Sequence, residues 1–249
     1  MRKLILAAGT SAAFIAPFLA PLASADVLGV GANVSYWSSD LSGEAESDGS
    51  VVDVENDLDL ESDDNVNFTA HFEHPVPALP NVRFNYTSLS LSGRGELGVD
   101  GFDTIVTPQA QVDSELDLDQ IDVTLYYEVL DNWVNLDLGL TGRSLDGELT
   151  VQEVGGTAAS ETEIKAVVPM AYIAARFDLP LTGVSVGAEG NVISFDGDSV
   201  YDFNAYGQYE IQVVQLRAGY RQLGIDYEDD DDTLDIEIGG PFVSAGLVF

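Results

Sequence analysis

From Asp26 onward, apolar residues recur at every second position, which is the period of a strand whose two faces meet different surroundings. No period of 3.6 interrupts it. Leu28, Val30, Ala32, Val34 and Tyr36 alternate with Gly29, Gly31, Asn33 and Ser35. Val66, Phe68, Ala70 and Phe72 alternate with polar neighbours, and Ile121, Val123, Leu125, Tyr127 and Val129 alternate with Asp122, Thr124, Tyr126 and Glu128. The same rhythm marks residues 134–140, 184–188, 201–211 and 214–220. An all-β chain is expected, with one polar face along most of its length.

The connections fall into two kinds that alternate along the chain. Short ones sit at "HPVPALPN", at Asp131-Asn132, at "LPLTG" and around Gln212. Long acidic or Gly-rich ones sit near residues 40–63, 96–114, 146–161 and 226–233, with one short exception at "FDGDS". Short turns at one end and long loops at the other is the layout of an antiparallel transmembrane β-barrel. The spacing predicts about ten strands, an even number, with both chain ends on the short-turn side.

A change of phase separates this reading from a soluble β-sandwich. In "DSELDLDQIDVTLYYEV" the odd positions are Asp113, Glu115, Asp117 and Asp119, then Ile121, Val123, Leu125, Tyr127 and Val129. The last strand inverts in the same way: Asp235 and Glu237 share parity with Val243, Ala245, Leu247 and Phe249, opposite Leu234, Ile236 and Ile238. Val82, Phe84 and Tyr86 likewise give way to Leu89 and Leu91. A strand in water has no reason to swap its buried face. A strand that leaves a bilayer does, because apolar side chains face outward in lipid and inward above it. The apolar stretch from Ile121 to Val129, at ~3.3 Å per residue and a tilt near ~40°, spans roughly 23 Å of a band about 25 Å tall.

Composition sharpens the picture. The chain opens with Arg2 and Lys3, an apolar run broken by Pro17 and Pro21, and the small-x-small pattern Ala23-Ser24-Ala25, which predicts a cleaved export leader over residues 1–25 and a barrel domain over 26–249. Removing the leader leaves seven basic and 43 acidic residues, a formal charge of −36, which excludes a nucleic-acid partner. There is no cysteine, so neither disulfides nor thiolate metal sites contribute.

The polar face holds the candidate chemistry. Arg83, Arg217 and Arg221 fall among Glu73, Asp122, Glu128, Asp137, Glu189, Asp202 and Glu210, a set that can pair across a narrow lumen or line a cation-preferring path. Asp57, Asp59, Asp117, Asp119 and the run Asp229, Asp230, Asp231 and Asp232 offer hard oxygen ligands for calcium or magnesium at the rim, which would bridge it to lipopolysaccharide phosphates. Beyond these ions no cofactor is expected. Catalysis is not expected either: His71 and His74 lie beside the Pro-rich short turn, out of reach of the acid pairs Asp57/Asp59 and Asp117/Asp119.

Val243, Ala245, Leu247 and Phe249 resemble the C-terminal sorting signal that the barrel assembly machinery reads on bacterial outer-membrane barrels. Together with the leader and the length, "GGPF" (Gly239, Gly240, Pro241, Phe242) resembles a family of Gram-negative outer-membrane barrels marked by a Gly-Gly near the C-terminus. The resemblance implies Sec-dependent export and residence among outer-membrane lipid and lipopolysaccharide; it supplies no activity. Two roles stay open: a structural or interaction barrel of the envelope, and a narrow channel for cations or small solutes.

Overall fold

The computed structural model describes residues 2–6, 28–47, 50–62, 65–76, 78–98, 105, 109–195, 197–229 and 232–249. Its strands are β1 (Arg2–Leu6), β2 (Gly29–Trp37), β3 (Asp40–Ser47), β4 (Ser50–Asp53), β5 (Glu61–Ser62), β6 (Val66–Glu73), β7 (Asn81–Glu96), β8 (Gln111–Leu130), β9 (Val134–Glu153), β10 (Ala159–Leu179), β11 (Val184–Phe195), β12 (Asp198–Ile211), β13 (Val214–Asp229) and β14 (Asp232–Val248). β2 and β3 act as one wall strand bent at Ser38-Ser39, because both pair with β14. The wall then runs antiparallel through β6 to β13 and returns to β14. Backbone bonds between Val30 and Phe249, 2.8 and 3.1 Å, seal the seam. The result is a closed barrel of ten strands, with no edge left open around its circumference at mid-height.

The inversion read from the sequence is present in the wall. β8 alternates inward and outward without a break from Gln111 to Val129, where a register shift against β9 ends the pattern. Val112, Leu116 and Leu118 point inward above Gln120, and Asp122, Thr124 and Tyr126 point inward below it. Outward, the acids give way to exposed Ile121, Val123, Leu125 and Tyr127. At ~3.3 Å per residue and a tilt near ~40°, such a strand rises roughly 50 Å, about twice the apolar band. Half the barrel therefore stands clear of lipid height.

That upper half has an ordinary apolar core. Leu41, Val52, Leu58, Leu60, Leu91, Val112, Val151 and Ile238 pack together inside the wall. Sequence reading placed an acidic loop over residues 40–63; here only part of it is loop. β3 and β4 form a hairpin, and the chain then turns inward, so that Val54, Leu58 and Leu60 are buried while Asp53, Glu55, Asp57 and Asp59 cover the other side. Gly93 and Gly95 on β7 make this possible. A Cβ on either would meet the backbone oxygen of Asp59 or Asp57 at 2.0 or 1.9 Å. The segment is an internal plug at the long-loop end.

Two other expected loops also shrink. β9 and β10 carry the wall through residues 146–161 except for the turn at 154–158, and β13 and β14 do the same on either side of residues 230–231. Inward apolar residues such as Leu145, Leu149 and Val151 continue the alternation and reward it with burial. The short turns fall as expected, with Leu181, Gly183 and Gln212 at positive φ of 66°, 72° and 58°.

Arg2–Leu6 pairs parallel with β10 in this structure. The predicted cleavage residues Ala23 and Ala25 lie outside the described residues.

Candidate functional site

Long strands bring distant parts of the sequence to one level of the lumen, and the charged residues there sort into layers. In the upper layer Arg143 donates Nε and Nη2 to Asp122 at 2.9 and 2.8 Å and Nη2 to Asp202 at 2.7 Å. Arg221 donates Nε to Asp202 Oδ1 at 2.9 Å, Nη2 to the Oδ2 it shares with Arg143 at 2.7 Å, and Nη1 to Thr87 Oγ1 at 3.2 Å. Its guanidinium lies 4.7 Å from the centre of the Trp37 ring, a cation–π contact. All four charges are buried and the layer is neutral. Such an arrangement is held by mutual compensation, since each member alone would pay several kcal/mol of desolvation.

Below it, Arg83 forms a two-pronged pair with Glu189 and donates to Tyr172 Oη at 3.2 Å. Arg217 lies 4.0 Å from Glu189, donates to Gln208 at 2.6 Å and covers the Tyr206 ring at 4.4 Å. Nearest the short turns, Tyr126 donates to Glu73 at 2.8 Å and Asn81 to Glu128 at 3.2 Å. Asp137 stands directly opposite Glu128 in the ladder. Glu210, at the turn itself, accepts from Gln208 and Gln215. Acidic charge thus collects toward the short-turn end, and a polar cavity of about 60 Å³ remains between the layers.

Of the ten lumen residues chosen from the sequence, nine are buried or half-buried on the inner face of the wall and Glu210 is exposed at a short turn; the tightest member was missed. Arg143 is fully buried, and sequence reading ended its strand at Leu140. Parity would have found it, because Arg143 continues the inward series of Asp137, Gly139 and Thr141.

The Gly-Gly motif also acquires a physical role. β14 pairs with β3 up to Gly239 and with β2 from Phe242 onward, so Gly240 and Pro241 sit where the partner changes. A Cβ on Gly240 would lie 1.8 Å from the Ser38 carbonyl oxygen. Pro241, which has no N–H to give, is tolerated at this break, and its carbonyl accepts from Ser38 N at 3.1 Å. Trp37 Nε1 donates to the Gly240 carbonyl at 3.1 Å, and Gly240 is the cross-strand neighbour of Arg221. The motif therefore anchors the upper ion layer. Val243, Ala245, Leu247 and Phe249 face outward on the apolar belt.

The acidic candidates at the rim are dispersed. Asp117 accepts from Ser90 Oγ and Asp119 from Tyr86 Oη, each at 2.8 Å. Asp57 accepts from the backbone of Asp53 at 3.0 Å. Asp59 is exposed at a positive φ of 51°. Asp229 and Asp232 are backbone partners at the end of the β13–β14 ladder, while Asp230 and Asp231 lie outside the described residues. Among the described residues no three acidic or histidine groups converge on one point.

Asp53 caps its turn, accepting from the backbone N–H of Glu55 and Asn56 and from Asn56 Nδ2. The Asn56 side-chain bond, helped by the backbone bonds, holds its carboxyl below the ordinary 3.8. A depressed carboxyl stabilises above its ordinary value and loses that contribution as pH falls through the lowered one. The turn is therefore expected to loosen only below pH 3.8, and Asp53→Ala to loosen it at neutral pH by about 1 kcal/mol. Amide exchange at Glu55 and Asn56 reads both effects.

No protein-family model matches the chain, and no curated protein sequence does. Solved structures do match. The outer-membrane protease OmpT of Escherichia coli superposes with a TM-score of 0.56 at 8% identity, over 91% of this chain and 97% of that one. The translocator domain of the autotransporter NalP from Neisseria meningitidis follows with a TM-score of 0.47 at 10% identity, over 88% of each chain. Neisserial surface protein A aligns over 89% of this chain and 95% of its own at 13% identity, with a TM-score of 0.31. The chain thus has the all-antiparallel closed barrel fold of Gram-negative outer-membrane proteins.

Proposed function

We propose that this protein is a non-conducting outer-membrane barrel that serves the envelope as a structural and interaction element, with its acidic long-loop end facing outward. Export through the Sec pathway and insertion by the barrel assembly machinery belong to this reading, as does a lipid and lipopolysaccharide surround. The observation that carries it is double closure of the lumen. Val54, Leu58 and Leu60 sit in an apolar core at the long-loop end, and a neutral, mutually bonded ion layer crosses the lumen below it. An ion crossing this interior would have to break both a hydrophobic seal and buried pairs.

Catalysis forms no part of the reading. His74 is tied to the short turn, its Nε2 3.2 Å from the Pro80 carbonyl and its Nδ1 accepting from Val76 N at 3.2 Å. The acid pairs stand at the other end.

The test is single-channel recording of the refolded protein in a planar bilayer, in potassium chloride with and without calcium. Insertion without steps is the expected result. Steady cation-selective steps would overturn the proposal and make the carboxylates near the short turns a filter.

A further inference from the structure

The barrel wall is uneven at its long-loop end. β9 and β10 have 20 and 21 residues, whereas β11 and β12 have 12 and 14 and are joined by the short turn at "FDGDS". β10 pairs with β11 only from Ala171 to Leu179. Its earlier residues rise past the end of β11, and β13 does the same past β12, whose pairing stops at Ser199 and Asp226. The two tall strands flank a notch. Its floor is apolar, with Val168, Met170 and Val200 buried and Ala166, Ile193 and Ile225 packed against them.

In this structure the β10 side of the notch carries a guest. Arg2–Leu6 lies parallel to β10 with Lys3 level with Glu163, Leu4 with Ile164 and Leu6 with Ala166. These residues belong to the stretch read above as a leader removed on export. Once it is gone, the backbone of Thr162–Ala166 loses its neighbour on that side, and β10 becomes a tall edge strand beside an apolar floor. Edges of this kind pair with extended polypeptide.

We propose that the Thr162–Ala166 flank of β10 is a docking edge for an extended, basic-aliphatic segment of a partner protein, which joins the wall as a parallel strand. The chemistry follows from the edge. Ile164 and Ala166 face the apolar interior, and a partner's alternate residues would share that side. Outside, Glu161 and Glu148 are exposed near the flank, and Asp226 and Glu228 are exposed across the notch. With a formal charge of −34 on the whole chain, an acidic approach favours a segment carrying Lys or Arg. Among the described residues, Lys165 is the basic residue on the same face that opposes it, with Asp146 and Glu163 about 4 Å from its ammonium. This proposal rests on the long-loop end being a contact surface, and so deepens the function proposed above.

The test uses protein purified from outer membranes, its mass fixing the N-terminus, and the labelled peptide Arg-Lys-Leu-Ile-Leu as probe. Fluorescence anisotropy should show saturable binding. N-methylation at one set of alternate peptide nitrogens should weaken it about tenfold, as expected for loss of two or three ladder bonds, and methylation at the other set should not. Since the chain has no cysteine, Lys165→Cys gives one reporter, which should cross-link to a peptide with cysteine at its fourth position and not at its first.

Absence of binding, or binding indifferent to both methylation patterns, would overturn the proposal. So would retention of residues 1–6 in the purified protein, which would make the chain its own occupant, or a dimer that excludes the peptide, which would make a second copy the occupant. Peptide binding by a barrel that conducts would sink the closed-lumen reading alone. A silent barrel that ignores the peptide would sink this one alone.

Discussion

Asp202→Ala is expected to lower the stability of the folded barrel by about 3–5 kcal/mol. Asp202 is the acceptor shared by Arg143 and Arg221, through contacts of 2.7 to 2.9 Å. Removing it leaves Arg143 with Asp122 alone and Arg221 with Thr87 and the Trp37 ring, in a place neither arginine can leave for water. The useful comparison is Asp113→Ala. Asp113 pairs with Arg94 in the same bidentate geometry, 2.6 and 2.9 Å, but both side chains are more than half exposed. Its loss should cost about 0–1 kcal/mol. Urea unfolding followed by tryptophan emission measures both, with Trp37 inside the barrel and Trp133 exposed near the short turns. Equal effects would mean that the layer is solvated and not structural. Replacing all four members by aliphatic residues of similar size should recover most of the loss, because the penalty is uncompensated charge and not lost packing.

Gly240→Val should be comparably severe for a steric reason. The new Cβ would begin 1.8 Å from the Ser38 oxygen, with the Ser39 Cα 2.9 Å away. Both are backbone atoms at the bend that lets β2 and β3 share β14, so no rotamer change relieves the clash. Overpacking a fixed site costs about 1–3 kcal/mol and occasionally more. The shift must also disturb the Trp37 bond to the Gly240 carbonyl. The variant should lose the slow-migrating heat-modifiable form on gels, or show a lowered melting temperature where it still folds. Gly98→Val is the control, since nothing lies within 4 Å of a Cβ there. Equal behaviour of the two variants would remove the steric account of the motif.

Much of this architecture was legible in the chain. Period 2 located the wall, the inversion at Gln120 and Ile121 marked where lipid height ends, and the turn chemistry at Leu181, Gly183 and Gln212 placed the short connections. The inward charges could be chosen by parity, because a strand obeys parity wherever one face is buried. What stayed hidden was non-local. Acidic Asp53, Glu55, Asp57 and Asp59 drew attention as a solvated loop, while the alternate residues Val52, Val54, Leu58 and Leu60 were the ones that decided its place. Whether a loop folds over a barrel or into it depends on a partner elsewhere, here Gly93 and Gly95, whose missing side chains leave space for its backbone. Arg143 was lost to a strand boundary drawn too early. No local signal could pair it with Asp202, 59 residues away.

The internal plug also bears on the order in which the molecule is built. Its seat joins residues near Leu58 to Gly93, about 35 positions apart, whereas the seam joins Val30 to Phe249, 219 positions apart. Chain entropy charges for loop length logarithmically, so bringing the seam together costs roughly 1.6 kcal/mol more than seating the plug. Contacts of short sequence separation also form sooner. The cork is therefore expected to seat before the bottle is closed around it, and withdrawing it afterwards would mean lifting Leu58 and Leu60 out of a finished apolar core.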